Sequence, residues 1–223
     1  MIFFIREEML LLEFPPEVLE CIVLALDLPS AASLAATCTC MRLAVDASWP
    51  TRLRRDMLRG RGFEARPSLS AREQYQLFSR VPDCRGVYAG DYGSHGMELL
   101  CARQRGFKVQ LEKLTGDPNV PRGKVSVIFT LDEEHDFQLG TGLILLAGTG
   151  HVNPYHNPAM VRVLEGGELL RVRWMFSFDV LRLPVEEQQV QEIIRRVGGE
   201  PDELGNIDNA RVNLELDKIL HFF

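Results

Sequence analysis

Two stretches of the sequence carry residue types that bind phosphate or metal ions in other proteins. Gly116 and Gly123 enclose a proline-containing segment, whereas a phosphate loop has four residues between its glycines so that successive N–H groups converge on phosphate. Here six residues separate the glycines, two of them are prolines without an N–H, and Val125 stands where Ser or Thr would hold magnesium. We therefore reject a phosphate site, and interpret the acidic run 132–135 (DEEH) as a surface turn.

Two further places in the sequence carry histidine or carboxylate residues, the types that acid–base and metal chemistry require. Asp91, His95 and Glu98 lie close together in the chain and could act as acid and base, but no Ser or Cys nucleophile stands in a suitable context. His151 and His156 lie in a Pro/Asn/Gly loop, and no cysteine accompanies them at zinc spacing. We predict hydrogen-bonded turns at both places, a protein that is not an enzyme, and no metal ion or cofactor.

Composition is that of an ordinary globular protein, with 46% apolar and 25% charged residues and a net charge of −6, which gives no case for a nucleic-acid partner. No apolar run approaches the roughly 18 residues of a membrane span. Arg6, Glu7 and Glu8 interrupt the apolar N-terminus, so we do not interpret it as a signal peptide. The five cysteines are odd in number, which favours reduced thiols and a cytoplasmic or nuclear protein.

Residues 14–49 predict a pair of short helices. Proline and Glu17 suit a first helical turn, and Ser30 is placed to cap the second helix. Apolar residues recur at helical spacing in both segments. These residues are Val18, Leu19, Ile22, Val23, Leu26, Ala31, Leu34, Ala35 and Cys38. Two short helices cannot bury so much apolar surface against each other, which indicates a partner protein or another domain.

The pattern Phe14-Pro-Pro-Glu-x-Leu-x-x-Ile22, closed by Trp49, resembles an F-box. The resemblance implies binding to a Skp-type adaptor and, through it, to a cullin-RING ubiquitin ligase. The adaptor face that it implies consists of Phe14, Pro15, Glu17, Leu19, Ile22, Leu26, Leu34 and Cys38. The alternative is a plain helical hairpin packed on its own domain.

A basic segment follows Trp49. It is expected to be a solvated helix face and a linker, or else a surface that attracts an acidic partner. Ser70 and Glu73 have the spacing of a capping box, which predicts a short helix that ends before Pro82.

From Gly86 onward the apolar period changes from helical to two, which predicts strands. Met160–Leu164 and Leu169–Phe178 form a plausible hairpin, and Val125–Leu131 is a half-buried strand. Six or seven consecutive strands predict an antiparallel barrel or sandwich, and the sequence leaves open whether the barrel is complete. An amphipathic helix is expected to end at Gly198. The tail 208–223 fits either a strand or a helix that covers an open sheet edge.

Residues 86–183, with TGDPNVP as their most specific piece, resemble the lipocalin-like barrel of a subset of F-box only proteins. The mammalian member of that subset binds D-type cyclins, and chloroplast EXECUTER proteins carry a similar barrel. The resemblance implies that the mouth of the barrel holds a short or C-terminal peptide of a target protein. Candidate contacts are Tyr92, Ser94, His95, Asp117, Asn119 and Thr141. Alternatively, Asp117 and Asn119 only build an Asx turn and Tyr92 only packs.

Together these patterns predict an α+β protein in four parts. They are an F-box helical module (1–58), a basic linker with a short helix (59–84), a lipocalin-like antiparallel barrel (85–183), and a C-terminal helix and tail that pack on the barrel (184–223). The predicted function is that of a substrate receptor of an SCF-type ubiquitin ligase. The alternative is a lipocalin-like small-ligand sensor with a helical lid.

Overall fold

The structure, a computed structural model, describes residues 15–37, 39–92, 96–203 and 205–220. The chain divides into two compact units, Met1–Ser79 and Arg80–Phe223. None of the helices in the described ranges is long and apolar enough to cross a membrane.

Helices form the first unit. They are α1 (Pro16–Ala25), α2 (Leu28–Ala35), α3 (Thr39–Arg52), a π-helical segment (Leu53–Arg59) and α4 (Ala71–Ser79). The prediction that Ser30 caps α2 was wrong, because the Asp27 carboxylate accepts a hydrogen bond from the Ser30 N–H at 2.8 Å. The helix therefore begins at Leu28, with Pro29 in its first turn, where the missing N–H of proline costs nothing.

The capping box that begins α4 is confirmed. Ser70 donates its N–H to Glu73 Oε2 at 2.8 Å, and the Ser70 hydroxyl accepts from the Glu73 N–H at 3.3 Å. The helix then packs Tyr75 against the Trp49 ring at 5.4 Å and Phe78 on Phe63 at 4.4 Å. These aromatic contacts join α4 to α3 and to the segment between them, and so complete the core of the first unit.

Arg52 departs from the expectation of a solvated basic face, since its side chain is buried. Its guanidinium donates hydrogen bonds to the carbonyl oxygens of Val23 and, at 3.1 Å, Leu26. These carbonyls lie at the C-terminal end of α1, where helical partners run out. Arg52 thus fastens the end of the first helix to the end of the third.

The second unit contains a closed barrel of eight antiparallel strands in which each strand pairs with the next and β1 pairs with β8. The strands are β1 (Gly86–Asp91), β2 (Met97–Arg105), β3 (Lys108–Lys113), β4 (Val125–Leu131), β5 (Leu139–Gly148), β6 (Val152–Leu164), β7 (Leu169–Arg173) and β8 (Ser177–Arg182). The predicted antiparallel barrel is confirmed, and it is complete.

Two local predictions about the strands were wrong. The region around His151 and His156 was expected to be a loop, but most of it is the first half of β6. Only β5 pairs with this half, because β7 pairs with β6 from Met160 onward. The open side of the strand tolerates prolines. The single strand predicted at 169–178 is two strands separated by a turn at 174–176. Trp174 packs edge-on against Phe176 of the turn and Phe178 of β8. The alternating aromatic residues therefore form a cluster around the turn.

Apolar side chains fill the barrel at the end formed by the 106–107, 132–138 and 165–168 loops. Tyr88, Phe129 and Phe137 are fully buried there, and Phe137 stacks on Phe107 at 5.5 Å. Inward-facing aliphatic residues of neighbouring strands lie directly opposite one another in register. Side chains therefore fill this end of the barrel.

Two helices, α5 (Glu187–Val197) and α6 (Asn209–Leu220), pack on the outer face of β1 and β2. The tail is thus a helix, and since the barrel is closed it covers a sheet face rather than an open edge. The shared cluster consists of Val87, Leu99, Cys101, Leu114, Val190, Ile193, Ile194, Ile207, Val212 and Leu216. The predicted stop of α5 before Gly198 is confirmed.

Replacing Arg52 by methionine, which keeps the stem but removes the donors, is expected to destabilise the first unit. Two carbonyl acceptors, of which that of Val23 is buried, would lose their charged partner, at a cost of about 2 kcal/mol. The midpoint of urea unfolding, followed by the fluorescence of Trp49 in a Trp174→Phe background, measures the effect. Arg54→Met is the matched control, because Arg54 is exposed. Equal midpoints for the two variants would contradict the role given to Arg52.

Candidate functional site

A cavity of about 510 Å³ opens at the end of the barrel opposite the packed end. We call it the mouth cavity. Its walls come from the ends of β1, β3 and β5, the beginnings of β4 and β8, the β7–β8 turn, and the TGDPNVP turn between β3 and β4. Its volume lies in the range of about 300–1,000 Å³ that is typical of ligand sites.

A buried cluster of charges lies at the base of the mouth cavity. Val109, Leu111 and Lys113 alternate on β3 and face inward, so the lysine side chain enters the lumen and is 1% exposed. Its ammonium pairs with Asp117, lies 3.5 Å from Glu98 Oε2, and sits 4.6 Å from the centre of the Tyr92 ring. The cluster therefore combines one cation, two carboxyl groups and an aromatic face.

The TGDPNVP turn holds Asp117 in this cluster. One carboxylate oxygen of Asp117 accepts the N–H groups of Asn119 and Val120, both at 2.7 Å, so the predicted Asx turn is present. The other oxygen pairs with Lys113, so the residue contributes to the site as well as to the turn. At Gly116, where φ is +81°, a Cβ atom would lie 2.1 Å from Asn206 Oδ1. Only glycine fits at this close approach.

Asn206, in the linker between α5 and α6, fixes the turn from outside. Its side-chain NH₂ donates to the Asp117 carbonyl at 3.0 Å, and its amide oxygen accepts from the Arg122 N–H at 3.0 Å. From the other side, Gly150 donates its N–H to the Pro118 carbonyl at 2.8 Å. The wall of the mouth cavity is thus held by the C-terminal helices and the β5–β6 turn.

Burial and mutual charge move the pKa values of the two carboxyl groups in opposite directions. Burial, with a smaller contribution from the nearby Asp117 carboxylate, raises the pKa of Glu98 to about 7, although Lys113 and a 3.1 Å hydrogen bond from Thr115 oppose the rise. Burial would also raise the pKa of Asp117, but the Lys113 ammonium and the turn N–H groups outweigh it and hold the pKa below its ordinary value. Asp117 is therefore the charged partner of Lys113.

Two residues of the cavity wall, Tyr92 and Ser126, carry hydroxyl groups. Within the described residues, neither Tyr92 Oη nor Ser126 Oγ makes a hydrogen bond of normal geometry, although both atoms are buried. Burial raises the pKa of the Tyr92 phenol far above its usual range, so it stays a neutral donor. Phe178 packs against the Tyr92 ring at 4.4 Å, and Trp174 packs on Phe178.

The arrangement is suited to holding a ligand. The described lining contains neither histidine nor cysteine. The lining instead offers an ion cluster, hydroxyl donors and an aromatic wall, which together select a partly apolar ligand with a polar end.

The predicted substrate contacts separate into three groups. Tyr92, Asp117 and Asn119 all line the mouth cavity. Thr141 is exposed on the outer face of β5, directly opposite Met160 of β6, and does not reach the cavity. Ser94 and His95 lie outside the described residues.

The predicted adaptor face also divides by exposure. Leu19 is 4% exposed and belongs to the core of the first unit. Ile22, Leu26 and Leu34 are half-buried and Pro15 is exposed. Phe14, Cys38 and the Glu17 side chain lie outside the described part. The exposed large apolar side chains among the described residues of this unit are Val18 and Leu43, and neither was among the predicted contacts.

Sequence reasoning missed Lys113, Ser126 and the aromatic pair Trp174 and Phe178. Lys113 carried a usable signal, because it continues the inward alternation of Val109 and Leu111 and must therefore be buried with a counter-charge. Asn206, about 90 positions from the turn that it holds, carried no local signal.

Comparison with known proteins places the barrel in a family. A family model described as the Cyclin D1 binding domain matches residues 73–193, more than half of the 223-residue chain. The chain belongs to the Cyclin D1 binding domain family. The match covers all eight strands of the barrel and therefore the whole wall of the mouth cavity.

Among curated proteins, the chain is similar to F-box only proteins. Human F-box only protein 31 is 41% identical over 54 residues, which are 24% of this chain and 10% of that protein. F-box only protein 31-A of Xenopus laevis is 45% identical over 42 residues, 19% of this chain and 8% of that protein. The matched segment thus spans a tenth or less of these relatives. The predicted relation to F-box only proteins is confirmed in this coarse form.

Glu98→Gln is expected to change how stability depends on pH. Between the ordinary value of 4.5 and about 7, the folded protein binds more protons at Glu98 than the unfolded chain does. The free energy of unfolding therefore falls as pH rises through this window. The pKa of Asp117 is lowered, so this residue has the opposite effect on the free energy of unfolding. Its contribution to stability is lost only as the pH falls below the ordinary value of 3.8. Glutamine removes the fall between pH 4.5 and 7 and raises stability above pH 7 by at most roughly 3 kcal/mol.

Urea unfolding at a series of pH values measures this effect. Glu192→Gln on the exposed face of α5 is the matched control and is expected to keep the wild-type profile. A profile of Glu98→Gln that still falls between pH 4.5 and 7 would show that Glu98 is not the buried group responsible.

Proposed function

We propose that this protein is a non-catalytic substrate receptor of an SCF-type cullin-RING ubiquitin ligase, in the cytoplasm, the nucleus or both. The helices of the first unit bind a Skp-type adaptor as an F-box, and the lipocalin-like barrel holds a target protein by a short or C-terminal peptide. The observation that carries the proposal is the mouth cavity in a barrel of the Cyclin D1 binding domain family. Similarity to F-box only proteins supports the adaptor half.

The physical contribution of such a receptor is positioning. A target held in the mouth cavity stays near the ubiquitin-charged enzyme, which raises its effective concentration without any chemistry by the receptor. The cavity suits one end of an extended peptide, because its volume fits a few side chains and its polar groups lie at the base. Lys113, Tyr92 and Ser126 would then meet polar groups of the peptide, while Phe178 and Trp174 pack against its apolar side chains.

Adaptor binding is tested with two surface substitutions, Val18→Asp together with Leu43→Asp. Both side chains are exposed, so the variant is expected to fold and to lose adaptor binding by at least ~10-fold, as for a charge placed in an apolar interface. The measurement is a titration of purified Skp-type adaptor by biolayer interferometry. Val152→Asp together with Leu214→Asp, two exposed positions of the second unit, is the matched control. Unchanged adaptor binding by the first variant, or none by the wild type, would refute the adaptor half.

Target binding is tested with a substitution that blocks the mouth cavity. Ala147→Trp places a large ring in the cavity wall, whereas Ala210→Trp adds the same ring on exposed α6. The family name makes cyclin D1 the first target to measure. We expect the wild type and Ala210→Trp to bind cyclin D1 alike and Ala147→Trp to bind at least ~10-fold more weakly, since a filled pocket loses its central contacts. Equal affinities for all three would place target binding elsewhere.

The enclosed volume also favours one second candidate, a small-ligand sensor, because about 510 Å³ accommodates an organic molecule. Native mass spectrometry of the purified protein distinguishes the two functions. A co-purifying small molecule that Ala147→Trp excludes would support the sensor, whereas a bare polypeptide mass together with adaptor binding would support the receptor.

A further inference from the structure

A second recess lies on the outer face of β6, β7 and β8, next to the mouth cavity. It has a volume of about 460 Å³ and is lined by three arginines, three apolar residues and Ser177. We call this surface the basic groove; it consists of Arg162, Arg171, Arg173, Met160, Met175 and Phe176. A cluster of three arginines is unexpected in a chain whose net charge is −6.

The strand register concentrates positive charge in the basic groove. Arg162 of β6 lies directly opposite Arg171 of β7, and Arg173 lies opposite Met160. Like charges at directly opposed positions repel each other, so this pairing does not serve the stability of the sheet. Asp179 of β8 compensates only Arg171, through two hydrogen bonds of 2.7 Å. The guanidinium groups of Arg162 and Arg173 form no ion pair or hydrogen bond with another described residue, unlike that of Arg171.

The apolar members of the basic groove are unusually open. The exposed fractions are 76% for Met175, 65% for Phe176 and 43% for Met160. Methionine, phenylalanine and arginine are the residue types enriched where proteins meet partners. Thr141, exposed on β5 and directly opposite Met160, extends the same face with a hydroxyl group.

The basic groove adjoins the mouth cavity. Phe176 and Ser177 line both recesses, so a peptide that leaves the cavity over the β7–β8 turn reaches the arginines next. Arg171 and Arg173 are two positions apart on one strand, roughly 7 Å. A short extended segment is therefore long enough to lie along them.

We propose that the basic groove binds an acidic segment of the target, adjoining the part of the target that the mouth cavity holds. Carboxylate or phosphate oxygens of this segment pair with Arg162 and Arg173, which present planar, multiply donating guanidinium groups. One apolar side chain of the segment packs between Met175 and Phe176. The inference rests on the proposed function and adds to it the chemistry by which targets are chosen.

Selection from a randomised peptide library displayed with free C-termini tests the inference with the full chain as bait. The wild type is expected to enrich sequences that carry acidic residues beside an apolar stretch. The charge-reversed variant Arg162→Glu, Arg173→Glu is expected to lose the acidic preference. The matched control Arg105→Glu, Lys108→Glu makes the same change of charge at exposed positions in the packed-end hairpin of β2 and β3 and is expected to keep it.

Affinities of one enriched peptide then separate the sources of the negative charge. Fluorescence anisotropy compares it with versions in which the acidic residues become glutamine or one becomes phosphoserine. Glutamine is expected to weaken binding to the wild type roughly 10-fold, and to leave binding to the charge-reversed variant unchanged. Tighter binding of the phosphoserine version would identify phosphate as the preferred group, and weaker binding would identify carboxylate.

The outcomes distinguish failure of the basic groove from failure of the proposed function. If the enriched peptides show no acidic preference and Ala147→Trp still blocks their binding, only the role proposed for the basic groove is overturned. No enrichment by the wild type, or enrichment that Ala147→Trp does not change, overturns peptide binding by the cavity and the groove with it. A labelled single-stranded oligonucleotide that binds the wild type more tightly than any peptide and loses affinity with Arg162→Glu, Arg173→Glu would assign the groove to nucleic acid instead.

Discussion

The ion pair between Lys113 and Asp117 inside the barrel mouth is the contact on which the second unit depends most. A buried ammonium is costly unless a carboxylate and further hydrogen bonds surround it. Asp117 meets this requirement only because the TGDPNVP turn aims its carboxylate inward while two turn N–H groups bind its other oxygen. This turn keeps its shape because Asn206, in the linker between the C-terminal helices, donates a hydrogen bond to the Asp117 carbonyl. Cavity, turn and C-terminal helices are therefore one interdependent assembly.

How far the sequence predicts the structure depends on whether the signal is local. The α4 capping box and the end of α5 were predictable because each is specified by residues a few positions apart. The barrel was predictable from its period-two pattern and from its resemblance to a known domain. The split of β7 from β8 at Trp174 was not, because alternating aromatic residues fit a strand as well as a turn packed around a shared aromatic cluster.

The site was predicted less completely than the fold, for a physical reason. Tyr92, Asp117 and Asn119 stand in turns whose glycines and prolines mark them, and they do line the cavity. Thr141 was assigned to the mouth because glycines flank it, but strand alternation puts it on the outer face. Lys113 and Asn206 acquire their roles through contacts with distant elements. Sequence spacing locates turns; it does not tell which side chains converge inside a closed barrel.

The distribution of polarity along the barrel argues for binding at one end. Tyr88, Phe129 and Phe137 fill the packed end at no electrostatic cost, and the same apolar filling at the mouth would stabilise the barrel more than a buried ion cluster does. The mouth instead retains Lys113, two carboxyl groups and the hydroxyl groups of Tyr92 and Ser126 around a cavity of about 510 Å³. Departures from the best packing are expected where function requires them. A buried ion cluster beside an aromatic wall is suited to recognition of a polar group on a partly apolar ligand.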